Sequence, residues 1–329
     1  MKRYGMNEML DVLIVGAGPA ALGTLYEARQ QGLKAVALDK GPVAGALLHH
    51  PTYMRWFSTF DKLELAGFPL ICTEKNPTRR EYLQYLRTFV KYYNLQVVAY
   101  HEVTAIDMIN NHFRIVAQDI FSRPYIWESR NVVMATGFYD SPRSLRIPGA
   151  DLPKVSYRYS ESHFYANHDV VIIGSGSSAA EVALELYRAD ANVTVVMRSD
   201  QFATKYWIEP DIENRIKEGS IQCYRNAELL NIGMDEVTIN TSENKQITIP
   251  NDFVLAMTGY IPNTSLLEKT GALVDTETRK PVLNTHFEST IPGLYIAGTL
   301  CAGCESNVVF VENSREHGPK IISHIVDKM

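Results

Sequence analysis

The 329-residue sequence predicts a three-layer α/β fold built twice, with the second copy inserted in the first. Three observations predict it. Two apolar strands each run into a glycine loop and then a helical pattern, one at the start of the chain and one near its middle. Each unit is followed by a later apolar strand that ends in Thr-Gly, at Gly137 and at Gly259. A last strand, Gly293 to Gly298, returns near the C-terminus, so the first copy is completed from both ends of the chain.

The first unit opens with Leu10 to Val15, an apolar run of strand length. The loop Gly16-Ala17-Gly18-Pro19-Ala20-Ala21 follows, then a helical pattern to Gln31 and a strand ending at Asp39, with Lys40 next. In a G-x-G-x-x-G/A loop the first glycine turns tightly and the second lets the backbone approach a pyrophosphate. The third position lets helix and strand pack closely. The helix N-terminus then offers free N–H groups and the positive end of a dipole. A carboxylate at Asp39 accepts hydrogen bonds from ribose hydroxyls and repels a phosphate, which suits FAD or NAD. The unit's later strand, Asn131 to Thr136, delivers Thr136 and Gly137 to the same end.

The same grammar returns at Asp169 to Ile173, in Gly174-Ser175-Gly176-Ser177-Ser178-Ala179, in a helix through about Ala189 and in a strand ending near Arg198. Its companion strand, Asp252 to Thr258, leads into Gly259. Arg198 is read as the counterpart of Asp39, and its planar guanidinium suits a 2′-phosphate, hence NADPH. The alternative is an ordinary exposed arginine, with Ser199 and Asp200 serving NAD. Both units are Rossmann-like dinucleotide-binding domains. The expected boundaries are 1–140 with 263–329 for the FAD domain and 141–262 for the inserted NADPH domain.

Composition narrows the partners. A net charge of −5 leaves no basic surplus for nucleic acid. No run of about 18 apolar residues occurs, and Met1 to Leu10 lacks the apolar core of a signal peptide, so a cytoplasmic protein without membrane contact is expected. Four cysteines are too few for a disulfide framework in a chain this long. Cys72 and Cys223 stand alone, whereas Cys301 and Cys304 form a C-x-x-C. No second pair accompanies them, so no metal site is read.

These units resemble, over nearly the whole chain, the flavoproteins of the low-molecular-weight thioredoxin reductase type. Within that group, Tyr53 to Pro69, with Trp56-Phe57-Ser58 and Asp61-Lys62-Leu63, is similar to the bacillithiol disulfide reductase-like family. So are Pro148 to Val155, Asp169 to Gly174, and Phe310-Val311-Glu312-Asn313 with His317-Gly318. The resemblance implies FAD along the first loop, with Trp56, Phe57 and Ser58 close to the isoalloxazine, and NADPH along the second. It also implies a low-molecular-weight disulfide or a small redox protein as acceptor, and a homodimer.

Three positions depart from the family pattern. Ala20 stands where a redox cysteine is proposed in the family. Ser160 to His168 holds no cysteine where thioredoxin reductases carry a C-x-x-C, so thioredoxin reduction by that route is excluded. Thr299, just after Gly298, replaces the aspartate that commonly meets the ribityl chain, and its hydroxyl still offers a neutral hydrogen bond.

Cys301 and Cys304 have two readings. One is a redox dithiol exchanging electrons with FAD, its thiol activated by the N-terminus of a helix starting at Ser306 or Asn307. The other is a pair of small residues in a tight turn. His317 either approaches the ring system or is a helical histidine satisfied by packing, the commoner case, and Pro319 is read as a kink or restart of its helix. The functional alternatives to a disulfide reductase are a ferredoxin–NADP reductase, which needs no cysteine, and a flavoprotein redox sensor with negligible turnover.

Overall fold

The computed structural model of the chain describes residues 8–305 and 308–329. They divide into two compact units. The first runs to Leu48, resumes over Tyr53–Ser141 and is completed from Ile261 onward; the second holds His49–Thr52 and Pro142–Tyr260.

The first unit begins with β1 (Leu10–Val15), α1 (Pro19–Gln30) and β2 (Ala35–Asp39). All of β1 except Asp11 is buried, as a parallel strand covered on both faces requires. Val12 and Ile14 face one core, Leu13 and Val15 the other. Pro19 occupies the first position of α1, where its missing N–H costs nothing. A short α2 (Phe60–Leu63) precedes α3 (Arg79–Tyr92), which starts at a capping box between Thr78 and Glu81. Then come β3 (Val97–Ala99), β4 (His101–Ile109), β5 (His112–Asp119) and β6 (Pro124–Met134).

The second unit follows with β7 (Val155–Ser156), β8 (Asp169–Ile173), α4 (Ser177–Arg188), β9 (Asn192–Val196), α5 (Glu209–Lys217) and β10 (Gln222–Tyr224). It continues through β11 (Glu228–Ile232), β12 (Glu236–Asn240), β13 (Gln246–Pro250) and β14 (Phe253–Ala256). The chain completes the first unit with α6 (Ser265–Lys269), β15 (Leu294–Ile296), a 3-10 turn over Gly298–Ala302, α7 (Val311–Ser314) and α8 (His317–Asp327). Pro319 sits in the first turn of α8, so the helix restarts at His317 as expected. The start expected at Ser306 or Asn307 lies outside the described residues. Among the described residues no helix is long and apolar enough to cross a membrane.

The sheets repeat one topology. In the first unit the parallel strands run β3-β2-β1-β6, with β15 beside β6; in the second they run β10-β9-β8-β14-β7. β6 is longer than the strand read at Asn131 to Thr136. Its first half pairs antiparallel with β5 and its second half pairs parallel with β1 and β15. Its burial changes with its neighbours, alternating at first and continuous over Val132–Met134. The antiparallel β4-β5 hairpin thus grows from the same strand that supplies Thr136 and Gly137. A separate antiparallel sheet, β11-β12-β13, belongs to the second unit. The chain leaves and re-enters the first unit at adjacent points, Ile261 donating its N–H to Ser141 O at 2.9 Å.

Candidate functional site

The first glycine loop is fixed by backbone contacts that leave room for no side chain at Gly16. Its φ is +114°, and a Cβ there would lie 2.5 Å from Ala135 O. Two residues on, nothing stands within 4 Å of the position a Gly18 Cβ would take. No side chain caps α1 there, so its first-turn N–H groups face that open space. Asp39 closes the far side of the loop. Its Oδ2 accepts from Ala17 N at 2.6 Å and its Oδ1 from Gly41 N at 2.7 Å. Burial raises its pKa and these two bonds oppose the shift. Lys40 is exposed and pairs with Asp140 at 2.9 Å. Ala21 is fully buried, while Ala20 packs towards Gly298, where an added Cβ would meet the Ala20 methyl at 3.0 Å. A Cβ on Gly137 would meet Thr299 Oγ1 at 3.5 Å. The structure thus gathers Gly16, Gly18, Pro19, Ala20, Thr136, Gly137, Gly298 and Thr299 at the carboxyl ends of β1, β6 and β15.

The segment Trp56-Phe57-Ser58 belongs to the same unit and is held from two sides. Asn76 Nδ2 donates to Trp56 O at 3.1 Å, Phe57 O at 2.9 Å and Ser58 O at 3.4 Å. Ser58 Oγ donates to Glu312 of α7, and Arg315 donates to the carbonyls of Asp61 and Lys62. Trp56 sets its ring edge-on to Tyr82 at 5.0 Å. Sequence reasoning missed Asn76. Its only local signal is its place ahead of Pro77 and the Thr78 cap.

The second loop repeats the first. Gly174 has φ +137° and a Cβ there would lie 2.4 Å from Met257 O, while the Gly176 position is open to beyond 4 Å. No side chain caps α4. Ser177 Oγ accepts from Thr204 Oγ1 at 3.3 Å, Ala179 is buried, Ser178 is exposed, and Gly259 adopts φ +83° beside Thr258. The counterpart of Asp39 needs correction. Gly16 N donates to Leu38 O and Gly174 N to Val196 O, so the residue matching Asp39 is Met197, which is buried, and Arg198 matches Lys40. At that position the second unit has a buried methionine in place of the carboxylate. Arg198 is exposed and lines a polar cavity of about 230 Å³ with Asn226, Glu228, Asn240, Thr241 and Ser242. On α4, burial and the neighbouring Glu185 push Glu181 up to about 7, a residue the sequence reading did not single out.

The two cysteines of the C-x-x-C lie in unlike surroundings. Cys301 is buried in the 3-10 turn with Sγ 3.4 Å from Ile296 O and 3.8 Å from His317 Nδ1. Burial pushes its thiol up to about 12, opposite to the activation expected of a helix N-terminus. Cys304 is half-buried, its N–H donating to Thr278 O at 2.7 Å. His317 is buried, with Nδ1 accepting from Gly298 N at 3.2 Å and its ring stacked on Phe287 at 4.0 Å. Burial, then Lys320, lowers its pKa to about 4, so it is neutral at physiological pH.

Two open, uncapped helix N-termini behind tight glycine turns are the cradle that two dinucleotide pyrophosphates need. A family model described as pyridine nucleotide-disulphide oxidoreductase matches residues 13–298. The chain belongs to the pyridine nucleotide-disulphide oxidoreductase family. The bacilliredoxin reductase of Bacillus subtilis is 36% identical over 321 residues, 96% of this chain and 97% of that protein. The solved bacillithiol disulfide reductase of Bacillus cereus superposes with a TM-score of 0.95 at 33% identity, covering 98% of this chain and 100% of that one. A ferredoxin–NADP reductase of Lysinibacillus sphaericus is more distant, 26% identical over 89% of this chain and 82% of its own. Family membership makes the chain an oxidoreductase that uses FAD and a nicotinamide dinucleotide. The residues fit both: each loop offers open space at its second glycine, and the first has Asp39 bonded to its Ala17 amide where the second has Met197.

Proposed function

We propose that the chain is an NADPH-dependent FAD oxidoreductase that reduces a low-molecular-weight disulfide of the bacillithiol type. The observation that carries the reading is the contrast between two otherwise matching loops. Asp39 underlies the first, and Met197 with the exposed Arg198 follows the second. A carboxylate accepts ribose hydroxyls and repels phosphate, whereas a guanidinium does the reverse. The likeness to the Bacillus proteins, over almost the full length of each, supports the disulfide as acceptor.

Bound FAD supplies the chemistry that takes two electrons and a proton as hydride from NADPH and passes the two electrons to the acceptor. The balance is NADPH plus RSSR plus one solvent proton, giving NADP⁺ and two RSH. The chain's own residues do the holding. The N-terminus of α1 binds the first diphosphate, Asp39 fixes the loop that presents it, and the N-terminus of α4 binds the second. Thr299 offers a hydroxyl beside Gly137, and Asn76 and Glu312 fix the Trp56-Phe57-Ser58 segment. Cys301 stays a protonated thiol at neutral pH, and Ala20 offers none. The acceptor disulfide accordingly takes its electrons without an enzyme thiolate at either position. A homodimer in the cytoplasm belongs to the same reading.

A ferredoxin–NADP reductase is the second reading, favoured by the raised Cys301 thiol and by the more distant relative. An acceptor panel decides. NADPH consumption with bacillithiol disulfide should exceed that with ferredoxin or dioxygen, and the reverse order transfers the assignment to ferredoxin.

A further inference from the structure

The C-terminal helix reaches the floor of the first dinucleotide site through one side chain. Gly318, the second residue of α8, lies so close to α1 that a Cβ on it would stand 2.9 Å from the Thr24 backbone. That contact brings the preceding residue, His317, under the turn that follows β15. There its Nδ1 accepts from Gly298 N at 3.2 Å, and Cys301 Sγ lies 3.8 Å from the same atom. An accepting Nδ1 on a neutral ring leaves the proton on Nε2, so the hydrogen bonding fixes the tautomer. Phe287 stacks on the ring and holds its plane. Gly298 also lies near α1, since a Cβ built on it would stand 3.0 Å from Ala20 Cβ. Gly298 therefore neighbours both α1 and the α8 imidazole. The next residue is Thr299, whose hydroxyl stands over Gly137.

We propose that His317 is a positioning residue of the flavin site: by accepting from Gly298 N it sets where the Thr299 hydroxyl and the first turn after β15 stand. It acts through the Gly298 amide. The assignment rests on the first loop being the FAD site. A buried N–H that loses its acceptor moves to find another, and here the movement displaces the residue beside Gly137. Cys301 has Ile296 O as a second acceptor and does not depend on the imidazole.

The test compares His317→Asn with His317→Leu in purified protein. Asparagine places an amide oxygen at the depth of Nδ1, whereas leucine fills the site without an acceptor. FAD affinity should fall about tenfold in H317L, the loss expected for one unsatisfied buried donor. The visible flavin band should shift, and H317N should recover affinity to within about twofold and restore the band. If H317L does not fold, His317→Gln replaces it, its amide lying beyond the Nδ1 position. Equal FAD affinity and an unchanged flavin spectrum in the acceptor-free variant overturn the proposal. So does an H317N no better than the variant lacking the acceptor. A wild-type protein that binds no FAD refutes the flavin reading itself, a separate result visible before any variant is compared.

Discussion

Asp39 accepts the Ala17 amide at 2.6 Å, tying the carboxylate at the end of β2 to the middle of the first glycine loop. With its other oxygen on Gly41 N, the same side chain braces both the first glycine loop and the segment that follows β2.

Asp39→Asn keeps the shape and removes one of the two acceptor oxygens. One of the two amides, Ala17 N or Gly41 N, then loses its partner, at a cost of about 1–3 kcal/mol. Flavin content on purification should drop and the melting temperature of the FAD-free protein should fall. A variant that purifies fully yellow with unchanged melting refutes the brace.

Gly174→Ala forces a Cβ to 2.4 Å from Met257 O at a φ of +137°. The loop must move, and because Met257 O is backbone it cannot yield cheaply. We expect loss of stability of about 2–4 kcal/mol and a steep rise in the KM for NADPH, with FAD content retained. Limited proteolysis and steady-state kinetics read the two effects.

Arg198→Gln should weaken NADPH while leaving NADH unaffected, since only a 2′-phosphate calls for the guanidinium. A charge-assisted contact is worth about 1.5–3 kcal/mol, so the KM for NADPH should rise by roughly 10- to 100-fold. Equal changes for the two nucleotides would place Arg198 outside the ribose site.

Glu181 titrates near 7 in the folded chain, above its ordinary range, because burial and Glu185 disfavour its charge. A raised carboxyl pKa means that folding favours the protonated form. Its contribution to stability is therefore complete below pH about 4.5 and is lost as pH rises to about 7. Glu181→Gln should raise the melting temperature at pH 8 and leave it nearly unchanged at pH 4.5. An equal shift at both values contradicts this.

Cys301→Ser with Cys304→Ser should keep disulfide reduction within about twofold of wild type, since a thiol held near 12 is almost wholly protonated at neutral pH. Loss of the reaction with FAD still bound would restore the redox dithiol.

The parts of this fold that read most clearly from sequence are those in which local and global demands coincide. β1 and β8 cover the spans expected, Leu10–Val15 and Asp169–Ile173, because a strand covered on both faces needs a largely apolar run. The glycine loops were legible because only glycine tolerates Gly16 and Gly174 against a facing carbonyl. The β4-β5 hairpin was not, for β4 alternates only partly and its bulge at Val103 to Ala105 breaks the period. The one-residue offset between Asp39 and Arg198 was hidden for a related reason. Strand ends are set by inter-strand hydrogen bonds, and the Gly174 bond to Val196 O has no sequence signal. At Cys301 burial raises the thiol instead of activating it. Burial depends on long-range packing that spacing does not report. Asn76 and Glu312 brace the Trp56 segment from positions remote in sequence, which no motif encodes.

The most direct test of the account is the stoichiometry of thiol release under anaerobic conditions, with NADPH and bacillithiol disulfide as the only substrates. Two thiols formed for each NADPH consumed is the predicted result. NADPH oxidation without thiol formation, or no oxidation until ferredoxin is added, would contradict it.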